Sequence, residues 1–386
     1  MNKKKLAHNG IQSSITSVLA ALLCILIGLV VGFLVLLVIN PGHAWGDGLV
    51  RILKGGFYDA PYGVGKTLAN AAPLIMTGLS VGFAFKTGLF NIGAAGQFTL
   101  GAYGALYCAI MLKLPWFVCL LVATLFGGIW GAIPGFFKAY LNINEVITAI
   151  MFNWIGLYLV NELIYQNGTG PMYDVRNTRT FNLRKNPDYA QSIIPDFGLN
   201  KMFQTNSTTI AIFLAIVVAI IVWVILEKTT FGYELKAVGL NKNAAKYAGI
   251  NEKKNIVLSM AIAGALAGFG AGLYYLSSVS EWNPLNSTSL PAIGFNGIPV
   301  ALLASSNPIG TIFSALFISH VSVGGSFLST KYYPTEISDL ISGIIIYLCA
   351  FSMLFRGKIH ALLFKNADKT NVNAEPASAN AKKEGK

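Results

Sequence analysis

Charge is what this sequence has least of. Asp, Glu, Lys and Arg make up 11% of its 386 residues, while 54% are hydrophobic. An ordinary soluble domain carries about 25% charged residues, so the shortage excludes a soluble fold. Acidic residues are scarcer than basic ones, 16 against 28, for a formal net charge of +12. Such a balance could serve nucleic acid, but the basic residues are scattered between apolar blocks and no polar domain is left to present them. They read as the positive flanks of membrane spans. Cysteine and histidine are also few. Cys24, Cys108, Cys119 and Cys349 lie inside apolar blocks without C-x-x-C spacing, and His8, His43, His320 and His360 are far apart. No disulfide, metal site or cofactor follows from them. No nucleophile, base and orienting group can be assembled, and His320, the one histidine inside an apolar run, has no carboxylate near it in sequence, so an enzyme is not expected.

What the chain does have is long apolar blocks, and about 20 such residues carry a helix across a bilayer. The clearest runs from Ser17 to Ile39, 23 residues without a charge. It follows three lysines, yet it is longer than the apolar core of a signal peptide and lacks a small-residue exit, so it is read as a retained span. Further spans are expected near 67–85, 93–112, 116–137, 145–165, 208–226, 256–276, 292–305, 308–322 and 337–355. The pattern is an all-α, polytopic transmembrane helical bundle of about ten spans over residues 1–365. The two pieces around Asn307-Pro308 are short enough for one to be a half-helix or a re-entrant segment.

Ten spans put both termini on one side. The Lys and Arg count there is 18, against 10 opposite, five of those ten within the single polar loop 166–206. By the positive-inside tendency both termini are expected in the cytoplasm and the 166–206 loop outside. The Ala-, Asn- and Lys-rich tail, 366–386, is expected to be disordered.

Three local patterns carry more. Gly127, Gly131 and Gly135, and again Gly264, Gly268 and Gly272, recur every four residues, which lines small residues along one helix face. They are read as packing seams before anything else. Phe90-Asn-Ile-Gly-Ala-Ala-Gly-Gln97 sets Asn91 and Gln97 in apolar surroundings. Buried amides need partners, so helix-to-helix hydrogen bonding and contact with a solute are both open there. Phe231 to Ile250, between the sixth and seventh spans, reads as two short helical stretches broken near Gly239-x-Asn241, with small residues suited to docking in another protein's groove. A stretch from Ala60 to Thr67 imitates a phosphate-binding P-loop. It lacks the first glycine and a preceding strand, and the topology puts it outside, so the match is rejected.

The 231–250 stretch resembles the cytoplasmic coupling loop of the membrane permeases of ATP-binding-cassette importers for branched-chain amino acids, ribose and nucleosides. Phe90 to Gln97 is similar to the Asn-Ile-Gly-x-Glu-Gly-Gln signature of the nucleoside type, with Ala95 where the glutamate usually stands. Asn144 to Asn153, Ala263 to Gly268 and Gly294 to Leu303 add further likeness, so that it covers about residues 67–355. The resemblance implies a transport subunit and no enzyme, working with two cytoplasmic ATP-binding subunits, a second permease and an external substrate-binding lipoprotein or periplasmic protein in the plasma membrane. It makes Glu234, Lys236, Gly239, Asn241, Ala244, Ala245 and Gly249 the expected coupling residues. For a nucleoside, the amides of Asn91, Gln97, Asn153 and Asn296 and the rings of Phe90 and Trp154 are the expected contacts along the path. The rival from another class, an ion-coupled secondary transporter, needs ionisable residues at mid-membrane. Glu145, Glu162, Glu281, Glu336 and Asp339 all fall near span ends or in loops, which weighs against it.

Overall fold

The computed structural model describes residues 3–286 and 288–334, with Ile337, Leu340, Ile341, Gly343, Ile344, Tyr347, Leu348, Phe351 and Phe355 beyond them. The chain enters on α1 (Lys3–Ile39). A short helical stretch follows, ending in α2 (Val50–Lys54), before α3 (Tyr62–Lys86). Then come α4 (Ala94–Ile110), α5 (Trp116–Leu141) and α6 (Glu145–Tyr165). A polar crossover carries β1 (Tyr173–Asp174), β2 (Arg179–Thr180) and the one-turn α7 (Leu199–Met202). The remainder is α8 (Ala211–Lys228), α9 (Thr230–Leu240), α10 (Lys242–Tyr247), α11 (Glu252–Leu276), α12 (Ala292–Leu303) and α13 (Pro308–Ser326).

Seven of the described helices are long and apolar enough to cross a membrane. They match seven of the expected spans, and α4 and α12 match two more. The tenth, 337–355, lies largely outside the described residues, as do Glu336, Asp339, Cys349, His360 and the 366–386 tail. The fold is the expected all-α membrane bundle, and two helices run beyond the expected spans. The first helix begins at Lys3, upstream of the apolar run that opens at Ser17, and no proline between them stops it. The stretch resembling a P-loop enters a membrane helix, as the rejection of that match implied, with Gly63 to Thr67 in the first turns of α3.

The two glycine series meet each other. A Cβ on Gly127 would run into Gly264 O, one on Gly131 into Met260 O, and one on Gly268 into Ala123 O. Without side chains between them, α5 and α11 approach backbone to backbone over several turns and gain dispersion contact that lipid cannot supply. Around this seam α3, α4 and α11 form the centre of the bundle, with Ile75, Met76, Leu79, Phe83 and Phe98 buried. Apolar residues such as Leu26, Leu34, Leu121, Leu125 and Ile129 are exposed on the outside of the bundle.

The segment between α1 and α3, for which the pattern gave no element, folds against α13. Arg51 donates to Phe327 O at 3.0 Å. His320 holds two backbone groups, its Nε2 donating to Leu53 O at 3.2 Å and its Nδ1 accepting from Gly56 N at 3.3 Å. It is a packing histidine, as expected.

Candidate functional site

The bundle has two ends of different character, and each carries part of the candidate site. At one end lie the turns after α3 and α5 and the pair α9–α10. At the other lie the 166–206 crossover and the segment leading into α12.

The second end encloses a cavity of about 490 Å³, within the range of small-molecule sites. Its cause is the shortness of α12, whose 12 residues rise about 18 Å of a core about 30 Å thick. Ser277 to Asn286 and Thr288 to Pro291 cover the rest without helix, and such backbone is tolerated at membrane depth only where protein buries it or a cavity adjoins it. The crossover supplies that cover. Thr180 N donates to Trp282 O at 2.9 Å and Trp282 N donates to Thr180 Oγ1 at 3.1 Å. Ile194 N reaches Leu276 O at 3.1 Å. At the side, Lys113 pairs with Asp188 at 2.7 Å and Ser192 Oγ donates to Leu114 O at 2.6 Å. The hydrogen bond and then the charge of Asp188 raise the Lys113 ammonium above its ordinary value.

The chamber has an aromatic wall and a polar rim. Phe98 of α4 stands 6.2 Å from Tyr274 and 6.1 Å from Tyr275 at the end of α11, and Tyr275 stands 5.9 Å from Trp282. Trp282 is fixed by its indole, which donates to Asn161 Oδ1 at 2.9 Å, while Asn161 donates to Asn286 O at 3.3 Å. Asn283, Asn286, Ser280 and Ser289 line the rim with Arg179 and Glu281, which face each other at 3.6 Å. Asn182 donates to the same Glu281 carboxylate. The arrangement offers flat apolar faces for a ring and hydrogen-bonding groups for hydroxyls.

None of the six path residues expected from the sequence lines this chamber. Asn91 and Gln97 are buried and bond to each other, and Asn91 also donates to Ser80 Oγ at 3.0 Å. Ser80 lies six residues before the end of α3, about 9 Å along its axis, so the turn after α3 folds back into the bundle and α4 starts inside it. Asn153 of α6 fixes that start. Its Oδ1 accepts from Gly96 N at 2.8 Å, one of the amides a first helical turn leaves unpaired, and its Nδ2 donates to Ile92 O at 3.0 Å. Phe90 stacks on Phe85 with centroids 5.2 Å apart. Trp154 is part-exposed on the other side of α6, stacked on Tyr158. Asn296 differs from the other amides: half-buried on α12, it has no side-chain hydrogen bond among the described residues. It sits three residues beyond the chamber-lining Ile293, on the same helix face.

At the opposite end α9 and α10 form the expected two short helices. Asn241 breaks and restarts them, its Oδ1 accepting from Asn243 N at 3.1 Å and Ala244 N at 3.0 Å. Glu234 accepts from Asn255 at 3.3 Å and Lys236 pairs with Glu227 at 3.2 Å. The small residues divide. Ala245 is buried with Ala84, Leu89, Ala139 and Val238, and the Cα of Gly239 lies against the backbone of Thr87 and Gly88, where Gly88 holds φ +75°. These two face the chain's own body, so the expectation that the small residues lie as one run against a partner is corrected for them. Ala244 and Gly249 are exposed, and beside them stand Leu240, 88% exposed, Tyr247, 94%, and Tyr233, 69%.

The sequence reading missed Tyr274, Tyr275, Trp282, Asn161, Arg179 and Glu281. The available signal was the adjacent tyrosines closing one span, followed by Glu281-Trp282-Asn283. What hid it was the partner segment, since nothing in 166–206 announces that it folds back over that loop.

Residues 63–350 match the family described as branched-chain amino acid transport system / permease component. The chain is similar to the guanosine ABC transporter permease protein NupP of Bacillus subtilis, 33% identical over 92% of this chain and 99% of that protein. It is also similar to the nucleoside ABC transporter permease protein NupB of Lactococcus lactis, 32% identical over 93% of this chain and 98% of the relative. The glucose ABC transporter permease protein TsgB13 of Haloferax volcanii is 30% identical over 86% of this chain and 87% of its own length. No solved structure matches the chain.

Proposed function

The chain belongs to the permease-component family of branched-chain amino acid type transport systems, and from that membership we propose that, as the membrane-spanning subunit of an ATP-binding-cassette importer, it carries nucleosides. It is a multi-pass plasma-membrane protein and no enzyme; ATP is hydrolysed on separate subunits, and a substrate-binding protein is part of the system. In this reading a second permease completes the path, both termini and α9–α10 face the cytoplasm, and the 166–206 crossover faces outward. The observation that carries the solute is similarity to guanosine and nucleoside permeases over nearly the whole of each chain, and the aromatic wall of the chamber supports it, because a base has flat faces to stack.

Within this reading the six path residues have three duties. Asn91, Gln97 and Asn153 hold the inward start of α4, and Phe90 packs beside it. Asn296 continues the chamber's lining toward the other end of α12 and contacts the solute in passage. Trp154, on the outer side of α6, faces lipid or the second permease. The coupling segment presents Leu240, Tyr247, Ala244 and Gly249 to the ATP-binding subunit. Gly239 and Ala245 bind the segment to the permease body, with Glu234, Lys236 and Asn241 fixing its shape.

The haloarchaeal relative favours a second reading, a sugar as solute. Uptake of labelled guanosine, uridine and glucose by cells expressing the assembled importer separates the two. Nucleoside uptake that stops when ATP is depleted with the proton gradient kept intact is the expected result. Uptake of glucose alone overturns the solute, and uptake that follows the gradient overturns the importer. Against the ion-coupled rival stand the carboxylates themselves: Glu145 pairs with Lys138 at 2.9 Å and Glu281 with Arg179, both at helix ends or beyond.

A further inference from the structure

The Arg179–Glu281 pair stands between two spaces. On one side is the 490 Å³ chamber; on the other, toward the crossover that the proposed topology turns outward, is a second cavity of about 270 Å³, lined by Asn177, Arg179, Thr180, Asn182, Lys185 and Glu281. Both cavities count Arg179 and Glu281 among their walls. Taking the nucleoside reading as its premise, the geometry points to a binding site for one nucleoside within this single subunit, in the inner chamber, with the Arg179–Glu281 pair as its outer gate.

Three features build the site. Tyr274 is the part-exposed ring of the wall, with the edges of Tyr275 and Trp282 beside it and Phe98 fully buried behind them, and base-on-aromatic contact is tolerant of which base is present. Asn283 and Asn286 place amides at the rim, where ribose hydroxyls would need donors and acceptors. The outer cavity carries Arg179 and Lys185, so a neutral solute with many acceptors meets donors before it reaches the aromatic wall.

The gate is built to open. Arg179 is 51% exposed and the pair is separated by 3.6 Å, a geometry in which an ion pair contributes little net stability. Glu281 is nevertheless held on its far side by Asn182, and Arg179 sits on β2, beside the Thr180 clasp to Trp282. Parting the pair therefore moves only two side chains and leaves the roof in place.

The test uses the full chain alone in lipid nanodiscs, without ATP-binding subunit or binding protein, and labelled guanosine as probe, with uridine and glucose as competitors. Ala292→Trp and Ser289→Trp fill the chamber from two exposed lining positions; Glu281→Gln removes the gate charge; Lys331→Ala, which lines neither cavity, is the control. Melting curves confirm that each variant is folded. The expected result is saturable binding displaced by uridine and not by glucose, lost about tenfold or more in both filled variants. The Glu281→Gln chain should release guanosine about threefold to fivefold faster. Unchanged binding in both filled variants overturns the site, and unchanged release in Glu281→Gln overturns the gate. No binding by the isolated chain while the assembled importer takes up guanosine also overturns the site and leaves the proposed function standing. If neither handles a nucleoside, the solute falls and this site with it.

Discussion

The side-chain amides of Asn91 and Gln97 close a ring on each other, Asn91 Nδ2 donating to Gln97 Oε1 at 2.8 Å and Gln97 Nε2 donating back to Asn91 Oδ1 at 2.9 Å. Both side chains are buried. Two amides that are costly to bury singly become cheap as a pair, and the pair pins a turn that would otherwise leave the bundle.

That relationship predicts strong coupling. Asn91→Leu and Gln97→Leu should each destabilise the purified chain by about 1 to 3 kcal/mol, the cost of stranding one buried amide. The double variant should lose much less than the sum. Denaturant unfolding in detergent measures all four corners of the cycle, and additive losses would show that the ring contributes no coupling.

The α5–α11 seam predicts a sharp dependence on side-chain size. Gly264→Leu and Gly268→Val place atoms where α5 backbone now lies, and folded yield should fall severely, since overpacking costs about 1 to 3 kcal/mol or more. At Gly128 a Cβ would meet Ala261 O and Ala265 Cβ at 3.4 Å, so Gly128→Ala should stay within about 1 kcal/mol of wild type. Size-exclusion recovery after detergent extraction reads both. A normal Gly264→Leu protein would mean that the helices do not touch there.

On the coupling segment, exposed apolar side chains should matter more than charges. Leu240→Asp and Tyr247→Asp should reduce recovery of the co-purified ATP-binding subunit about thirtyfold, the equivalent of about 2 kcal/mol at an interface anchor. Lys253→Ala should change it little. Gly239→Trp should disturb the permease itself, because its Cα rests on Gly88. Equal recovery with Leu240→Asp, Tyr247→Asp and wild type would place the docking surface elsewhere.

Asn161 tests the roof. Asn161→Leu removes the acceptor for the Trp282 indole and the donor to Asn286 O, and limited proteolysis of membrane vesicles should then cut the 166–206 segment faster than in wild type. The expected loss is about 1 to 3 kcal/mol of local stability. An unchanged digestion rate would show that the backbone clasp alone carries the roof.

On α12, Asn296 has no side-chain hydrogen bond among the described residues and lies on the proposed path. Asn296→Leu should lower guanosine uptake several-fold while recovery of the ATP-binding subunit and surface expression stay level. Full uptake by this variant would remove Asn296 from the path.

The spanning helices were legible in the sequence because they are apolar runs bounded mostly by charge, glycine or proline, and membrane burial leaves little else for such runs to do. The glycine series were legible as seams, but not that they face each other: period four names a helix face and leaves its partner open. Asn91 and Gln97 were visible as buried amides with two open uses, and only the fold shows them joined. The chamber was not legible, because it depends on a polar crossover folding over a loop about 100 residues later. No periodicity marks that pairing, and it rests on single hydrogen bonds such as Thr180 to Trp282.

The contact between Gly88 and Gly239 has a mechanical consequence. Most neighbouring segments in a protein are separated by side chains that can rotate, so a push on one is partly absorbed before it reaches the other. Here Cα meets backbone directly, and there is no rotamer to take up slack. Gly88 lies three residues before Asn91, on the same folded-back turn that sets where α4 begins. In the proposed coupling role of α9, a displacement of that helix reaches the root of α4 with no side chain between them. A side chain at either glycine would act as a spring in that linkage, and under the proposed coupling role less of an ATP-driven stroke would arrive.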